Sequence, residues 1–272
     1  MIESSSNARI KNISALMKKS RLRKETGFFI AEGPRMVFET PGELLQEIYV
    51  SESFVTDERW ISFCDSMGLR EDEPGKAELF RVTDQVMRSV SDTVTPQGVL
   101  AVVRQPHYEP EELLGDGTPY LLVLERLQDP GNMGTILRTA EGAGVSGIIM
   151  SSDSVDIFSP KVVRATMGSL YRVPFLVSDD LIRDISHLRS RGIRFYATHP
   201  LSEKRYFEED YTRATGFAIG NEGSGLSHEL SDICDERITI PMEGQVESLN
   251  AAMATGILLY EGLRQRKDPS QG

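Results

Sequence analysis

Apolar and polar residues alternate in blocks along this chain, and the blocks predict a repeating succession of strands and helices. In the first hundred residues, short apolar runs that favour strands are each followed by a stretch with helical spacing. The predicted strands are Phe28–Ala31, Glu47–Val50, Leu79–Val82 and Gly98–Val103. The predicted helices run from a Ser6 cap through Met17, from Pro34, over Asp57–Met67 and over Asp84–Val90. This rhythm indicates a small α/β layer domain.

A break in the pattern divides the chain. Residues 107–118 contain a proline, several acids and Gly115-Asp116-Gly117, which predicts a linker between a domain at 1–106 and a second at 119–272. The second domain is again predicted to alternate between strands and helices, so the fold class is α/β throughout. Its predicted elements are strands Tyr120–Leu124, Gly147–Met150, Phe195–Ala197, Gly216–Ile219 and Ile238–Met242, with helices Met133–Glu141 and Leu249–Arg266.

Composition indicates a globular protein, because 39% of the 272 residues are hydrophobic and 26% are charged. No apolar run approaches the ~18 residues that span a bilayer, and the N-terminus lacks the features of a signal peptide. Cys64 and Cys234 form no CxxC pair and the four histidines have no metal-ligand spacing. We therefore expect a cytoplasmic protein with no metal site.

A basic segment near the N-terminus contrasts with the net charge of −11. Arg9 to Lys24 contains seven cations and almost no acids, and a local positive surface is what phosphate contacts require. Lys18, Lys19, Arg21 and Arg23 are therefore predicted to bind RNA. The alternative is a charged, solvated helix face.

One glycine cluster superficially suggests a dinucleotide-binding site. The cluster is Glu141-Gly142-Ala143-Gly144. In a dinucleotide fingerprint the glycines precede the helix, whereas in this chain the predicted helix precedes the glycines. Gly142 and Gly144 are predicted to end that helix instead.

Three segments in the second half carry the strongest signal. They are Asp129-Pro130-Gly131-Asn132-Met133-Gly134 leading into Arg138, then Ile219-Gly220-Asn221-Glu222-Gly223, then Ile240-Pro241-Met242 followed by Ser248-Leu249-Asn250. In this order and at this spacing they resemble the three signature motifs of the SpoU/TrmH family. That resemblance implies a trefoil-knotted α/β domain that transfers a methyl group from S-adenosylmethionine to a ribose 2′-hydroxyl of RNA.

The resemblance also assigns roles to individual residues. It places a catalytic group at Asn132, Arg138, Glu222, Ser248 and Asn250, and cofactor contacts at Gly220, Ile240 and Leu249. By position, Thr198 at a strand end and the apolar Met242 join the cofactor set. The backbone at Gly220 is expected to touch the ligand, and Asn132 to orient Arg138.

Four of these residues also have a plainer interpretation. Asn132 and Ser248 stand where helix N-caps are expected. Arg138 lies beside an apolar helix face, as a snorkelling surface arginine does. Glu222 is, taken alone, a surface acid.

The N-terminal half resembles the family's RNA-binding domain. Phe29-Ile30-Ala31-Glu32-Gly33 and Thr95-Pro96-Gln97-Gly98 carry that likeness, and it adds Glu32 and Gly33 to the predicted RNA-binding residues. A full domain in this place favours 23S ribosomal RNA as substrate, and the family implies a homodimer. The alternatives are a tRNA ribose 2′-O-methyltransferase and a catalytically silent RNA-binding protein.

Overall fold

The computed structural model describes residues 1–69 and 77–267. These residues form two compact units. The first consists of Met1–Pro106 together with Asp156–Tyr171, and the second of His107–Val155 together with the chain from Arg172 onward. Among the described residues, no helix is both long and apolar enough to cross a bilayer.

The first unit is built on a four-stranded sheet in the order β1-β4-β2-β3. β4 is antiparallel to both of its neighbours, and β2 and β3 are parallel. Its elements are α1 (Ala8–Lys18), α2 (Ser20–Thr26), β1 (Phe28–Glu32), α3 (Pro34–Phe38), β2 (Leu45–Ser51), α4 (Glu58–Met67), β3 (Glu78–Val82), α5 (Asp84–Val90) and β4 (Val99–Arg104).

Helix α1 lies on this sheet through an apolar face. Ile10, Ile13 and Leu16 recur at helical spacing, are at most 1% exposed, and belong to a core that includes Ile30 and Leu100 of the sheet. The cap of α1 is Asn7, whose side chain accepts a hydrogen bond from the Arg9 amide, and not the predicted Ser6.

In the second unit, a 3-10 helix at Pro110–Leu114 precedes the sheet. The elements that follow are β5 (Tyr120–Leu124), α6 (Pro130–Gly142), β6 (Gly147–Ser151), α7 (Pro160–Thr166), β7 (Phe175–Ser178), α8 (Leu181–Ser190), β8 (Arg194–Thr198), β9 (Thr215–Ile219), α9 (His228–Ile233), β10 (Glu236–Ile238) and α10 (Ala251–Lys267). Of these, α7 belongs to the first unit.

The six strands of the second unit are all parallel, in the order β10-β8-β9-β5-β6-β7. From β5 the chain proceeds outward to β6 and β7, then returns on the other side of β5 with β8 and β9. The strand order therefore reverses beside β5. In open parallel sheets, ligands bind outside the carboxyl ends of the strands at such a switch point.

Several boundaries differ from the sequence prediction. The segment 107–118, predicted as a linker, contains the 3-10 helix and belongs to the second unit, where Leu113 is fully buried. β10 ends at Ile238, before the predicted Met242, and α10 begins at Ala251. Gly144 has the predicted left-handed backbone (φ 73°), whereas Gly142 is still helical.

Candidate functional site

A cavity of about 410 Å³ opens at the carboxyl ends of β8, β9 and β10. Its volume falls within the ~300–1,000 Å³ of typical small-molecule sites. The lining comes from the loops after these three strands and from the start of α10. It includes all five residues predicted to bind the cofactor, namely Thr198, Gly220, Ile240, Met242 and Leu249, and also Glu222 and Ser248.

The loop after β9 folds back on itself tightly. The Asn221 amide donates to the Gly225 carbonyl at 3.1 Å, and the Gly225 amide donates to the Asn221 carbonyl at 2.9 Å. A Cβ on Gly220 would lie 2.2 Å from both Gly225 C and Leu226 N. Gly220 is therefore required by the loop's own backbone. It also lines the cavity, so its contact with a ligand stays a prediction.

A line of side-chain hydrogen bonds joins the three motifs. Asn250 Nδ2 donates to Asn132 Oδ1 at 2.9 Å, and Asn132 Nδ2 donates to Glu222 Oε1 at 3.0 Å. Asn250 also caps α10, because its Oδ1 accepts from the amides of Ala252 and Met253. Residues far apart in sequence thus fix one another, and one of them, Glu222, lines the cavity.

Asn132 is not the N-cap of α6 that its position predicted. Asp129 is the cap, and its Oδ1 accepts from the Asn132 amide at 2.7 Å. Asn132 lies in the first turn of α6, and its side-chain carboxamide is hydrogen-bonded to Glu222 and Asn250. It therefore does not orient Arg138 through a direct contact. Ser248 is not a cap either, because Asn250 has that role in α10.

The Glu222 carboxylate is held by three donors. Its Oε1 accepts from Asn132 Nδ2 and from the Asp129 amide, and its Oε2 accepts from the Gln128 amide at 3.2 Å. Partial burial opposes ionisation, but these hydrogen bonds outweigh it and lower the pKa of Glu222 below its ordinary value of 4.5. Glu222 is therefore ionised at neutral pH, with its acceptor positions largely occupied.

Replacing Glu222 with Gln should make stability less dependent on pH in the acidic range. A lowered folded-state pKa stabilises the protein fully above the unfolded value of 4.5, and this contribution disappears as the pH falls through the folded-state pKa. Glu222→Gln should therefore unfold at lower temperature than the wild type at pH 7, and the difference should shrink below pH 4.5. Calorimetry of both proteins across this range would measure it.

The control for that experiment is Glu243→Gln, an exposed acid on the segment after β10. An equal response of both variants would show that the hydrogen bonds to Glu222 contribute nothing specific.

Arg138 lies six residues after Asn132 on α6, which is roughly 240° around the helix. It is exposed, and within the described residues no hydrogen bond or ion pair occupies its guanidinium. An exposed cation without a protein partner is available to an anionic ligand. This placement differs from that of Glu222 and Asn132, which are committed to each other.

The cavity offers the groups that a nucleoside-type cofactor requires. Ile240 and Met242 are half-buried and Leu249 is 37% exposed, so apolar surface faces the space. The glycine loop supplies backbone amides and carbonyls. Thr198 lines the cavity, but its hydroxyl donates to the Ala218 carbonyl at 2.9 Å, so it joins β8 to β9. Ser248 is exposed and lines the cavity.

In the first unit, Arg23 requires a correction. Its side chain is 5% exposed, and its Nε and Nη2 donate to Asp156 at 2.9 and 2.6 Å. Nη1 donates to the carbonyls of Leu16 and Met17. Arg23 therefore fixes α1 and α2 within the unit and does not present its charge to a phosphate. Lys18, Lys19 and Arg21 are exposed, Arg21 with an ion pair to Glu25.

Glu32 and Gly33 also have structural roles. Glu32 is 7% exposed and accepts hydrogen bonds from Ser91 Oγ, Thr93 Oγ1 and the Asp92 amide, so it anchors the loop after α5. Gly33 has a φ of 90°, which favours glycine, and starts α3. The predicted RNA contact of Glu32 is thus replaced by a supporting position beneath an exposed loop.

Sequence reasoning missed two residues that build the site. Glu125, which follows β5, accepts from the Ser227 amide and Oγ at 2.6 Å each and so holds the far end of the glycine loop. Asn221 Nδ2 donates to the Arg126 carbonyl at 2.7 Å, while its Oδ1 accepts from the Gly223 amide. An Asn followed two residues later by Gly is the usual sequence of such an Asx turn, so Asn221 was detectable.

With this geometry in view, comparison with known proteins identifies the family. A profile of the SpoU rRNA methylase family matches residues 119–260, and a profile of the MRM3-like substrate-binding domain matches residues 7–101. This chain belongs to the SpoU rRNA methylase family. The predicted family, the α/β SpoU-type fold and the enzyme class are confirmed, as is S-adenosylmethionine as the cofactor.

Relatives in this family match most of the chain. It is 31% identical to the 23S rRNA (guanosine(2553)-2′-O)-methyltransferase RlmP of Bacillus subtilis, covering 95% of this chain and 97% of RlmP. The SpoU methyltransferase AviRb of Streptomyces viridochromogenes, solved with AdoMet, has a TM-score of 0.86 at 26% identity, over 96% of this chain and 98% of AviRb. The A. aeolicus TrmH/SpoU tRNA modifying enzyme has a TM-score of 0.51 at 28% identity, over 59% of this chain and 82% of that enzyme.

Proposed function

We propose that this protein transfers the methyl group of S-adenosylmethionine to a ribose 2′-hydroxyl of large-subunit ribosomal RNA. The observation that carries the proposal is the line Asn250–Asn132–Glu222, which joins the three motifs and ends at Glu222 in the cavity lining. It fixes the start of α6, which carries Arg138, relative to the loops that line the cavity. A cofactor in the cavity and a ribose near Arg138 would thus be held by one rigid frame.

The residues of the chain supply positioning and electrostatics. When bound, S-adenosylmethionine supplies an electrophilic methyl group. Arginine remains protonated in proteins, so Arg138 cannot remove the hydroxyl proton. Its guanidinium would stabilise the negative charge that develops on the 2′-oxygen and would bind the adjacent phosphate.

Glu222 is also unsuited to act as the base. Its pKa is lowered and three donors already bind its two oxygens. A carboxylate in this state accepts a further proton poorly, so we assign Glu222 the role of aligning the motifs. The proton would then leave to water or to an RNA phosphate.

The share of the chain that each relative matches favours ribosomal RNA over tRNA as the substrate. RlmP and AviRb match it over nearly the whole length, including the substrate-binding unit, whereas the tRNA modifying enzyme matches 59% of it. A separate RNA-binding unit is thus shared with an enzyme named for 23S rRNA.

Mapping ribose methylation in total RNA tests the function and the substrate together. RNA from cells with and without this protein would be compared by resistance to alkaline cleavage, since a 2′-O-methyl group blocks it. One site in large-subunit ribosomal RNA should lose methylation and regain it on incubation with the purified protein. Loss confined to tRNA would favour the alternative substrate, and no change in either RNA would contradict the function.

We further propose a homodimer that forms on the exposed face of α10. Met253 and Tyr260 are 63% and 52% exposed, and the half-buried Ile257 lies between them on one stripe of the helix. A second copy of the chain would cover this apolar stripe. Tyr260 approaches Gly142 one turn beyond Arg138 on α6, which would put Arg138 near the interface. Light scattering of the wild type and Tyr260→Lys would measure the assembly, and a monomeric wild type would contradict it.

We also propose that the second unit contains a trefoil knot and that the protein acts in the cytoplasm. α10 packs against α6, where a Cβ on Gly256 would lie 3.7 Å from Thr139 Cγ2, and such close packing suits a chain threaded through a loop. Ribosomal RNA is a cytoplasmic substrate, and Cys64 and Cys234, which are thiols and not half-cystines, suit a reducing compartment.

Replacing Lys18, Lys19 and Arg21 with Gln in one triple variant should weaken RNA binding and flatten its dependence on salt. Each lost phosphate contact removes roughly 0.7–0.9 units from the log–log slope, so the expected loss is about 2 units or more. Arg23 stays unchanged because the first unit needs it. RNA affinity measured between low and physiological salt gives the slope.

The matched control neutralises three other exposed cations of the first unit, Arg35, Arg59 and Arg88. It changes net charge equally but leaves α1 and α2 intact. If both triple variants lose the same slope, the basic segment is only a solvated helix face.

A further inference from the structure

Arg126 has a backbone conformation that a residue with a Cβ seldom adopts. It follows β5 and Glu125, and its φ is 53°, in the left-handed region. Met167 has the same φ, but there it is the C-cap of α7, where a left-handed residue is common. Arg126 ends no helix, so its conformation needs another explanation.

Hydrogen bonds of the Arg126 backbone account for its left-handed conformation, but they give no reason for an arginine side chain at this position. Its amide donates to Ser151 Oγ at 2.8 Å, and its carbonyl accepts from Asn221 Nδ2 at 2.7 Å and Gln128 Nε2 at 3.1 Å. These bonds tie β5 to the glycine loop. Glycine would make the same bonds with less strain, so an arginine here indicates a use for the guanidinium.

The guanidinium has no hydrogen bond within the described part of the chain. Its Nε is buried without an acceptor, and Nη2 lies 3.7 Å from Glu125 Oε2. That carboxylate is already bonded to the Ser227 amide and Oγ. The side chain remains 39% exposed. A partly desolvated cation with free donors is the state that a bidentate anion stabilises most strongly.

We propose that Arg126 binds a backbone phosphate of the RNA next to the methylated nucleotide. Arg126 does not line the cofactor cavity, which leaves the phosphates of the RNA as the anions of the reaction. It lies at the carboxyl end of β5, on the same connection as Asp129 and Asn132. This inference rests on the proposed function, because it needs RNA as the substrate.

The test compares Arg126→Gly with Arg126→Lys, using a transcript of large-subunit ribosomal RNA as the probe. Arg126→Gly should melt at or above the wild-type temperature, because strain is relieved. It should bind the transcript roughly 10-fold more weakly and lose about 0.7–0.9 units of salt slope, the effect of one phosphate contact. Arg126→Lys should retain the slope. Affinity for S-adenosylmethionine should not change.

Met167→Gly is the matched control, since it relieves the same backbone conformation in the first unit without removing a charge. An unchanged salt slope in Arg126→Gly would overturn the proposal. So would a larger loss of melting temperature than Met167→Gly shows, because that marks a structural arginine. If Arg126→Gly does not fold, Arg126→Gln gives the same slope measurement with the side-chain bulk preserved.

Methylation by the wild-type protein separates the role of Arg126 from the function of the whole protein. If the wild-type protein methylates the transcript while Arg126→Gly keeps the full slope, only the role of Arg126 is wrong. If the wild type methylates no ribose, the function itself is wrong, whatever Arg126 does.

Discussion

Replacing Arg138 with Ala is expected to lower the rate of methyl transfer by about 10²–10³-fold while leaving cofactor affinity unchanged. Removal of one donor that stabilises a developing oxyanion has an effect of this size. Arg138 is exposed, and the described residues provide it with no partner, so its loss leaves no buried group unsatisfied. Single-turnover rates give the chemical step, and calorimetry gives the cofactor affinity.

Arg191→Ala serves as its control, because Arg191 is another exposed arginine of the second unit, at the end of α8. The control should be as active as the wild type. Near-normal turnover of Arg138→Ala would remove Arg138 from the mechanism. A loss of activity accompanied by a lower melting temperature would show that Arg138 supports the fold.

Replacing Gly220 with Ala should lower both cofactor affinity and stability. The added Cβ would meet Gly225 C and Leu226 N at 2.2 Å, and backbone atoms of a tight loop cannot move aside as a flexible side chain can. The loop must shift, and Glu222 shifts with it. We expect cofactor affinity to fall by at least 10-fold and the free energy of unfolding by roughly 1–3 kcal/mol, measured by titration calorimetry and denaturant unfolding.

Two glycines provide controls for this experiment. A Cβ on Gly223, in the same loop, meets only Asn221 Oδ1 at 3.5 Å, so Gly223→Ala tests whether stability falls for any substitution there. A Cβ on Gly244 would have no atom within 4 Å, and Gly244 does not line the cavity. Gly244→Ala should therefore change neither the cofactor affinity nor the free energy of unfolding. Wild-type behaviour of Gly220→Ala would mean that the loop can open at little cost.

Sequence alone predicted most of the fold because its signals are local. β1, β2 and β5 are short apolar runs with turn residues beside them, and their predicted positions agree with the structure to within two residues. The motifs located the cavity because the carboxyl ends of parallel strands share one edge of the sheet. Thr198, Gly220 and Met242 all line it.

The partners of individual side chains could not be predicted, because they depend on tertiary contacts. Arg23 stands in a run of cations and looks equivalent to Lys18, yet Asp156, 133 residues away, takes it into the interior of the first unit. Asn132 was expected to cap its own helix, but it bonds to Glu222 and Asn250, 90 and 118 residues further along. No local pattern contains such pairings.

The same separations have a consequence for biosynthesis. A chain leaves the ribosome from its N-terminus, so Asn132 emerges well before either Glu222 or Asn250. The segment up to Pro106 is then already complete, while the line Asn250–Asn132–Glu222 still lacks two of its three residues. Under the proposed function, a translation product that stops short of Asn250 would carry the substrate-binding domain at 7–101 without the complete line, and it would compete with the full-length enzyme for RNA.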